Sequence, residues 1–163
     1  MPSDLHLVRF GSVRAAVGNP RAYAMIDTAV ASLRSIVADL ASQGATDILV
    51  PNLPGIGITP AVQAQGSQAV AAANQLAARF NSALDQALSG FAGRTDVRLH
   101  RLDVWQLAER VQADPAAAGF VDITNPCNQR RSCEGYLFWD NVHPTTQAHR
   151  RLAGAAAQVL DRP

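Results

Sequence analysis

The chain has 163 residues, of which 48% are hydrophobic and 17% charged, with a formal net charge of +1. This balance is typical of one globular domain and excludes a disordered chain. The 14 Lys and Arg residues are scattered, which argues against a nucleic-acid-binding surface. No apolar run is long enough to predict a transmembrane segment. The N-terminus lacks a signal-peptide pattern, which says nothing about destination if the gene begins upstream.

Residues 1–20 show no sustained periodicity, and their Gly, Asn and Pro residues predict a loop with at most one short helical turn. A helical apolar stripe then predicts a helix over residues 21–43, stopped by Gly44. The continuous apolar run that follows predicts a strand at residues 46–51, of the type that is covered on both faces of a parallel sheet.

Residues 52–66 are rich in Pro and Gly and predict a loop at the C-terminal end of this strand, where open α/β sheets bind ligands. The loop contains Leu53, Ile56 and Ile58. These apolar side chains either line an acyl pocket or simply pack beneath the loop, and the sequence leaves both interpretations open.

The second half of the chain repeats the alternation of helix and strand. Residues 67–89 predict a long helix ended by Gly90, residues 97–102 a second strand, and residues 104–113 a further helix. Residues 114–135 predict irregular structure, and a last helix begins among Thr145 and Thr146 and runs to about Leu160. This order predicts an α/β fold built on a parallel sheet. Two strands alone leave an open apolar edge, which favours self-association.

Cys127 and Cys133 lie six residues apart in a polar segment. They lack the number and spacing of a zinc site, so a local disulfide that pins the following segment is the favoured interpretation. A disulfide would indicate an extracellular or periplasmic protein. The alternative is a pair of reduced thiols at the surface.

The candidate catalytic residues lie in the segment that follows this pair. Asp140 ends an apolar run, and His143 follows three residues later, just before Pro144. A carboxylate at this spacing can accept the Nδ1 proton of the imidazole and leave Nε2 free to act as a base, as in a Ser-His-Asp triad. Pro144 stiffens the turn because its ring fixes φ. The alternative is an ordinary surface turn before a terminal helix.

The segment FWDNVHPTT at residues 138–146 resembles the last sequence block of the GDSL (SGNH) family of esterases and lipases. The segment at residues 44–60 is similar to the family's strand and following loop, and residues 80–84 and 127–133 also occur in family order. The resemblance covers about residues 22–160. It implies a three-layer α/β fold, with Asp140 as the orienting acid and His143 as the base.

Two family motifs are missing. The Gly-Asp-Ser motif of the nucleophile and the Gly-x-Asn-Asp motif of the oxyanion hole do not occur. Ser12 in a Phe-Gly-Ser context is a weak substitute for the nucleophile, and Ser3 stands where the family has the oxyanion Asn. We therefore expect residues 1–163 to form one SGNH-like domain that is incomplete on its N-terminal side.

The resemblance implies a serine ester hydrolase for small acyl-ester or lipid substrates that requires no cofactor and no metal. Its nucleophile is missing or unidentified, so the chain alone is expected to be a poor esterase. His6, His100 and His149 show no metal-ligand spacing with His143. The alternative function is a catalytically inactive remnant that acts as an association module. The sequence does not specify acyl-chain length, the alcohol or the oligomeric state.

Overall fold

The structure is a computed structural model that describes residues 16–161. Its α-helices are α1 (Pro20–Ser42), α2 (Pro60–Gln63), α3 (Ser67–Leu88), α4 (Val104–Ala113) and α5 (Thr146–Leu160). Its strands are β1 (Asp47–Pro51), β2 (Arg98–Leu102), β3 (Asp122–Pro126) and β4 (Tyr136–Phe138). The predictions for Ser3, His6 and Ser12 lie outside the described residues.

The α/β prediction is confirmed, and α1, α3, α4, α5, β1 and β2 agree with their predicted positions to within two residues. The loop prediction for residues 52–66 was wrong in part, because Ile56–Ile58 forms a 3-10 turn and α2 follows it. Gly90 does not end the long helix directly, since a second 3-10 turn, Ser89–Phe91, continues from α3.

The prediction of irregular structure at residues 114–135 was also wrong in part, because β3 lies within it and pairs in parallel with β4. Strand β3 has the sequence DITNP, which lacks the apolar alternation that marks a strand. The side chain of its first residue holds the backbone of the next residues in place, because the Asp122 carboxylate accepts hydrogen bonds from the N–H groups of Thr124 and Asn125. Burial opposes this effect, but these bonds and those from the Asn125 and Thr124 side chains lower the pKa of Asp122 to about 2.

Strands β1 and β2 pair in parallel, with Asp47 opposite Arg98 and Pro51 opposite Leu102. One face of the pair contributes Ile48 and Val50 to a core shared with α1 and α3. This core includes the following buried residues: Val30, Val37, Leu84, Leu88, Phe91 and Val97. The opposite face contacts α5. The described residues therefore form helix, sheet and helix layers, as the family resemblance implied.

A buried histidine joins the sheet to α5. His100 in β2 is only 6% exposed, and its Nε2 lies 2.8 Å from Oδ1 of Asp47 on β1. Its Nδ1 lies 3.1 Å from the carbonyl oxygen of Val159 near the end of α5. Asp47 Oδ1 and the Val159 carbonyl are both acceptors, so this imidazole links β1 to α5 through its two ring nitrogens. The bond from His100 is the largest influence that lowers the pKa of Asp47.

None of the helices within residues 16–161 combines the length and apolar character needed to cross a bilayer.

Replacement of His100 by Ala is expected to lower the free energy of unfolding by about 2–3 kcal/mol, because it removes two hydrogen bonds and leaves a cavity. Urea unfolding followed by circular dichroism measures the change. His149→Ala is the matched control, since that side chain is exposed on α5, and it is expected to change the stability by less than about 0.5 kcal/mol. Equal stability of the two variants would contradict the role given to His100.

Candidate active site

The candidate site is the turn between β4 and α5. Backbone hydrogen bonds close this turn: the N–H of Trp139 donates to the carbonyl of His143 over 2.8 Å. The N–H of Thr145 donates to Leu137 over 2.9 Å, and Phe138 and Pro144 form an antiparallel bridge. The turn is therefore a short hairpin whose second arm continues into α5.

Thr145, one of the two threonines at which the sequence predicts the last helix to begin, fixes the start of α5. Its side chain is the N-cap and accepts a hydrogen bond from the N–H of Ala148 over 3.3 Å. The same hydroxyl donates to the carbonyl of Tyr136 over 2.7 Å, and Thr145 is only 4% exposed. One side chain thus joins the helix to the first residue of β4.

Asp140 and His143 form a hydrogen-bonded pair inside this turn, which confirms the predicted contact. Oδ2 of Asp140 lies 2.7 Å from Nδ1 of His143. Oδ1 accepts from the backbone N–H groups of Val142 at 2.8 Å and His143 at 2.6 Å. Because an ionised carboxylate only accepts, Nδ1 of His143 is the donor of this bond, and a neutral imidazole in this geometry has its lone pair on Nε2.

The electrostatics of the turn keep Asp140 ionised. Burial opposes ionisation, but the backbone N–H groups of His143 and Val142, followed by the imidazole, outweigh it and lower the pKa of Asp140 below its usual value. The His143 side chain is half exposed, and its Nδ1 faces Asp140. This arrangement can orient an imidazole for general-base chemistry.

A disulfide joins Cys127 and Cys133, as predicted, and it lies against the turn. The N–H of Cys127 donates to Phe138 over 3.1 Å, and the N–H of Asn128 donates to Trp139 over 2.8 Å. Cys127 is fully buried, so the alternative of two reduced surface thiols was wrong. The cross-linked loop supports the strand that leads into Asp140.

The segment after β1 reaches the same turn from the other side. The N–H of Ala61 in α2 donates to the carbonyl of Asn141 over 2.9 Å. Asn81 of α3 holds the beginning of this segment, because its side chain bonds both the N–H and the carbonyl of Leu53 at 2.8 Å. The C-terminal end of β1 and the Asp140–His143 pair are therefore connected, as expected for a site at this edge of the sheet.

Sequence reasoning missed the part played by asparagines. Besides Asn81, Asn74 of α3 accepts from the N–H of Gly57 at 2.8 Å, and a Cβ on Gly57 would lie only 2.7 Å from that oxygen. Asn52, directly after β1, donates to Asp103, directly after β2, over 2.9 Å. Single Asn residues carry no sequence signal for such contacts, whose partners are distant in the chain.

Within residues 16–161, no serine hydroxyl makes a hydrogen bond to Nε2 of His143, and Ser3 and Ser12 lie outside this range. His149 is exposed on α5.

The sequence of residues 14–156 matches the GDSL-like lipase/acylhydrolase family. The chain belongs to this family. A phosphatidylcholine-sterol acyltransferase of Aeromonas hydrophila is 27% identical over 183 residues, covering 79% of this chain and 53% of that protein. A GDSL esterase/lipase of Arabidopsis thaliana is 27% identical over 150 residues, covering 78% of this chain and 43% of the relative. The GDSL-family chain described here thus spans about half the length of these relatives.

The hydrogen bond in the pair predicts a tautomer that can be measured. In the wild-type chain, the neutral His143 imidazole is expected to carry its proton on Nδ1, because the Asp140 carboxylate accepts it. Asp140→Asn is expected to move a substantial fraction of the ring to the Nε2–H form. Nitrogen-15 NMR of labelled histidine reports the change, and Asp39→Asn on the exposed side of α1 is the control. An unchanged tautomer in Asp140→Asn would contradict the assignment.

The cross-link predicts the thiol content of the chain. Protein denatured without reductant is expected to contain no titratable thiol. After reduction, each chain is expected to contain two. Reduction is also expected to destabilise the chain by about 2 kcal/mol, since the closed loop is short. Two free thiols before reduction would rule out the disulfide.

Proposed function

We propose that this chain carries the Asp–His part of the triad of a GDSL-type serine ester hydrolase. The observation that supports it is the 2.7 Å bond between Asp140 and His143 on a turn closed by backbone bonds. In this role Asp140 orients the ring, and Nε2 of His143 takes the proton of a serine hydroxyl and returns it to the leaving alcohol. These steps require no metal ion.

The substrates we propose are acyl esters, including lipid esters. The names of the two relatives support this class, since one is an acyltransferase and the other an esterase/lipase. We further propose an extracellular or periplasmic location, because the Cys127–Cys133 disulfide is of a kind that persists in oxidising compartments. We also propose a single SGNH-like domain, and the packing of helices on both faces of the β1–β2 pair supports it.

A second candidate function is an inactive remnant that acts by association. Two observations favour it. Within residues 16–161 no serine bonds to His143, and β1 pairs only with β2, which leaves its other edge unpaired in this range. An unpaired edge can add a strand from another chain.

The isolated 163-residue chain is expected to hydrolyse p-nitrophenyl butyrate near the background rate, and His143→Ala is expected to change that rate little. A base and its orienting acid without a positioned nucleophile retain only a small part of triad catalysis. Initial rates of purified protein provide the measurement. Robust turnover that is lost in both His143→Ala and Ser12→Ala would show instead that this chain builds a complete site.

The role of the pair is tested in a chimera, in which residues 47–160 of this chain replace the matching segment of an active GDSL esterase. The chimera is expected to hydrolyse the same ester, and both His143→Ala and Asp140→Asn are expected to lower kcat by roughly 10⁴-fold. Gln158→Ala is the control at an exposed position within the transplanted segment. Retained turnover in His143→Ala would contradict the base assignment.

A serine-reactive fluorophosphonate probe separates the two candidate functions. Labelling of a serine in this chain that is lost in His143→Ala would support the hydrolase. Lack of labelling, under conditions that label an active relative, would support the association module.

A further inference from the structure

The arm of the turn that carries His143, residues 143–145, is held weakly by its own main chain. Within the part of the chain that the structure describes, this arm bonds to the opposite arm at two points, the carbonyl of His143 and the N–H of Thr145. Pro144 lies between them and has no N–H to donate. A short hairpin is only marginally stable by itself, whereas a catalytic group has to be held within about 0.5 Å of its working position.

Two side chains at the start of α5 add the attachment that this main chain lacks. The hydroxyl of Thr145, a residue that is 4% exposed, donates to the carbonyl of Tyr136 over 2.7 Å. The amide oxygen of Gln147 accepts from the N–H of Gly135 over 2.9 Å, and its amide nitrogen donates to the carbonyl of Gly119 over 2.6 Å. These two residues, the anchor pair, therefore join the beginning of α5 to the beginning of β4 and to the segment before β3.

The two glycines that Gln147 contacts bring their backbone close to α5. Gly119 and Gly135 have φ angles of +77° and +76°, in the left-handed region that favours glycine. A Cβ on Gly119 would lie 3.0 Å from the Arg151 guanidinium and 3.6 Å from the Gln147 amide nitrogen. A side chain at this position would thus compete with Gln147 for the space in which its hydrogen bond forms.

We propose that Thr145 and Gln147 are positioning residues for His143. This inference rests on the proposed hydrolase function and adds to it two residues outside the triad. Asp140 orients the imidazole within the turn, whereas the anchor pair fixes the turn relative to β3 and β4. Without this attachment, the Asp140–His143 pair would keep its own geometry and lose its fixed place in the domain. Neither anchor residue acts on the substrate itself.

Nitrogen-15 relaxation of the full 163-residue chain measures the positioning directly. The order parameter of the His143 backbone N–H is expected to be about 0.85 in the wild type, as for rigid backbone. Thr145→Val combined with Gln147→Leu is expected to lower it below about 0.6, because three hydrogen bonds to the start of β4 and the segment before β3 are lost. The neutral ring is expected to keep its proton on Nδ1, since the bond to Asp140 is local to the turn.

Gln158→Leu is the matched control, because Gln158 is exposed near the other end of the same helix. Thr145→Ser is expected to retain the wild-type order parameter, since serine can cap the helix and donate the same bond. Thermal unfolding verifies that each variant is folded at the temperature of measurement. If the double variant does not fold, Gln147→Leu alone provides the test, because it leaves the Thr145 cap in place. An unchanged order parameter in the folded variants, or an equal decrease in Gln158→Leu, would overturn the inference.

The chimera described above provides the catalytic measurement. The double variant is expected to lower kcat about a hundredfold with little change in KM, because a misplacement of about 1 Å costs roughly that much. Thr145→Ser and Gln158→Leu are expected to retain the turnover of the chimera.

The two measurements separate this inference from the proposed function. A chimera whose turnover does not depend on His143, together with a lowered order parameter, would reject the triad role and retain the anchor pair as the attachment of the turn. A chimera that depends on His143 and keeps its kcat in the double variant would retain the triad role and overturn the inference.

Discussion

The short strand β4 is the constraint on which the candidate site depends, because main-chain hydrogen bonds hold it on both sides. On one side, the amides of Cys127 and Asn128 donate to the carbonyls of Phe138 and Trp139. On the other, the returning arm of the turn bonds back through His143 and Thr145. A three-residue strand is unstable alone, so these bonds and the disulfide together define where Asp140 and His143 lie.

Helix α5 connects this turn to the sheet. It begins directly after the turn, capped by Thr145, and the carbonyl of Val159 near its other end accepts from His100 in the middle of the sheet. A helix bound at both ends is a rigid connection between the sheet and the candidate base. His100, which takes no part in the proposed chemistry, thus fixes the far end of the helix that follows the turn.

An apolar cavity beside the Asp140–His143 turn, lined in part by the segment after β1, results from the same arrangement. Asn74 and Asn81 hold the segment after β1 close to α3, and Ala61 bonds to the turn, so Ile56 and Ile58 become part of an apolar wall beside His143. Leu53, bonded through its backbone to Asn81, is half-buried but does not line the cavity. The sequence left open whether these three residues line a pocket, and only Ile56 and Ile58 do so.

The sequence by itself determined the features that rest on local periodicity and spacing. The apolar stripes of α1 and α3 were sufficient to predict these helices, and the spacing of Asp140 and His143 before Pro144, together with the family resemblance of this segment, was sufficient to predict their contact. The tertiary structure alone decided the pairing of β3 with β4, since DITNP lacks strand periodicity and β4 has only three residues. It also decided the bonds of His100 and the cavity beside His143. These features depend on residues that are far apart in the chain, and their meeting is set by packing and hydrogen bonding rather than by any local pattern.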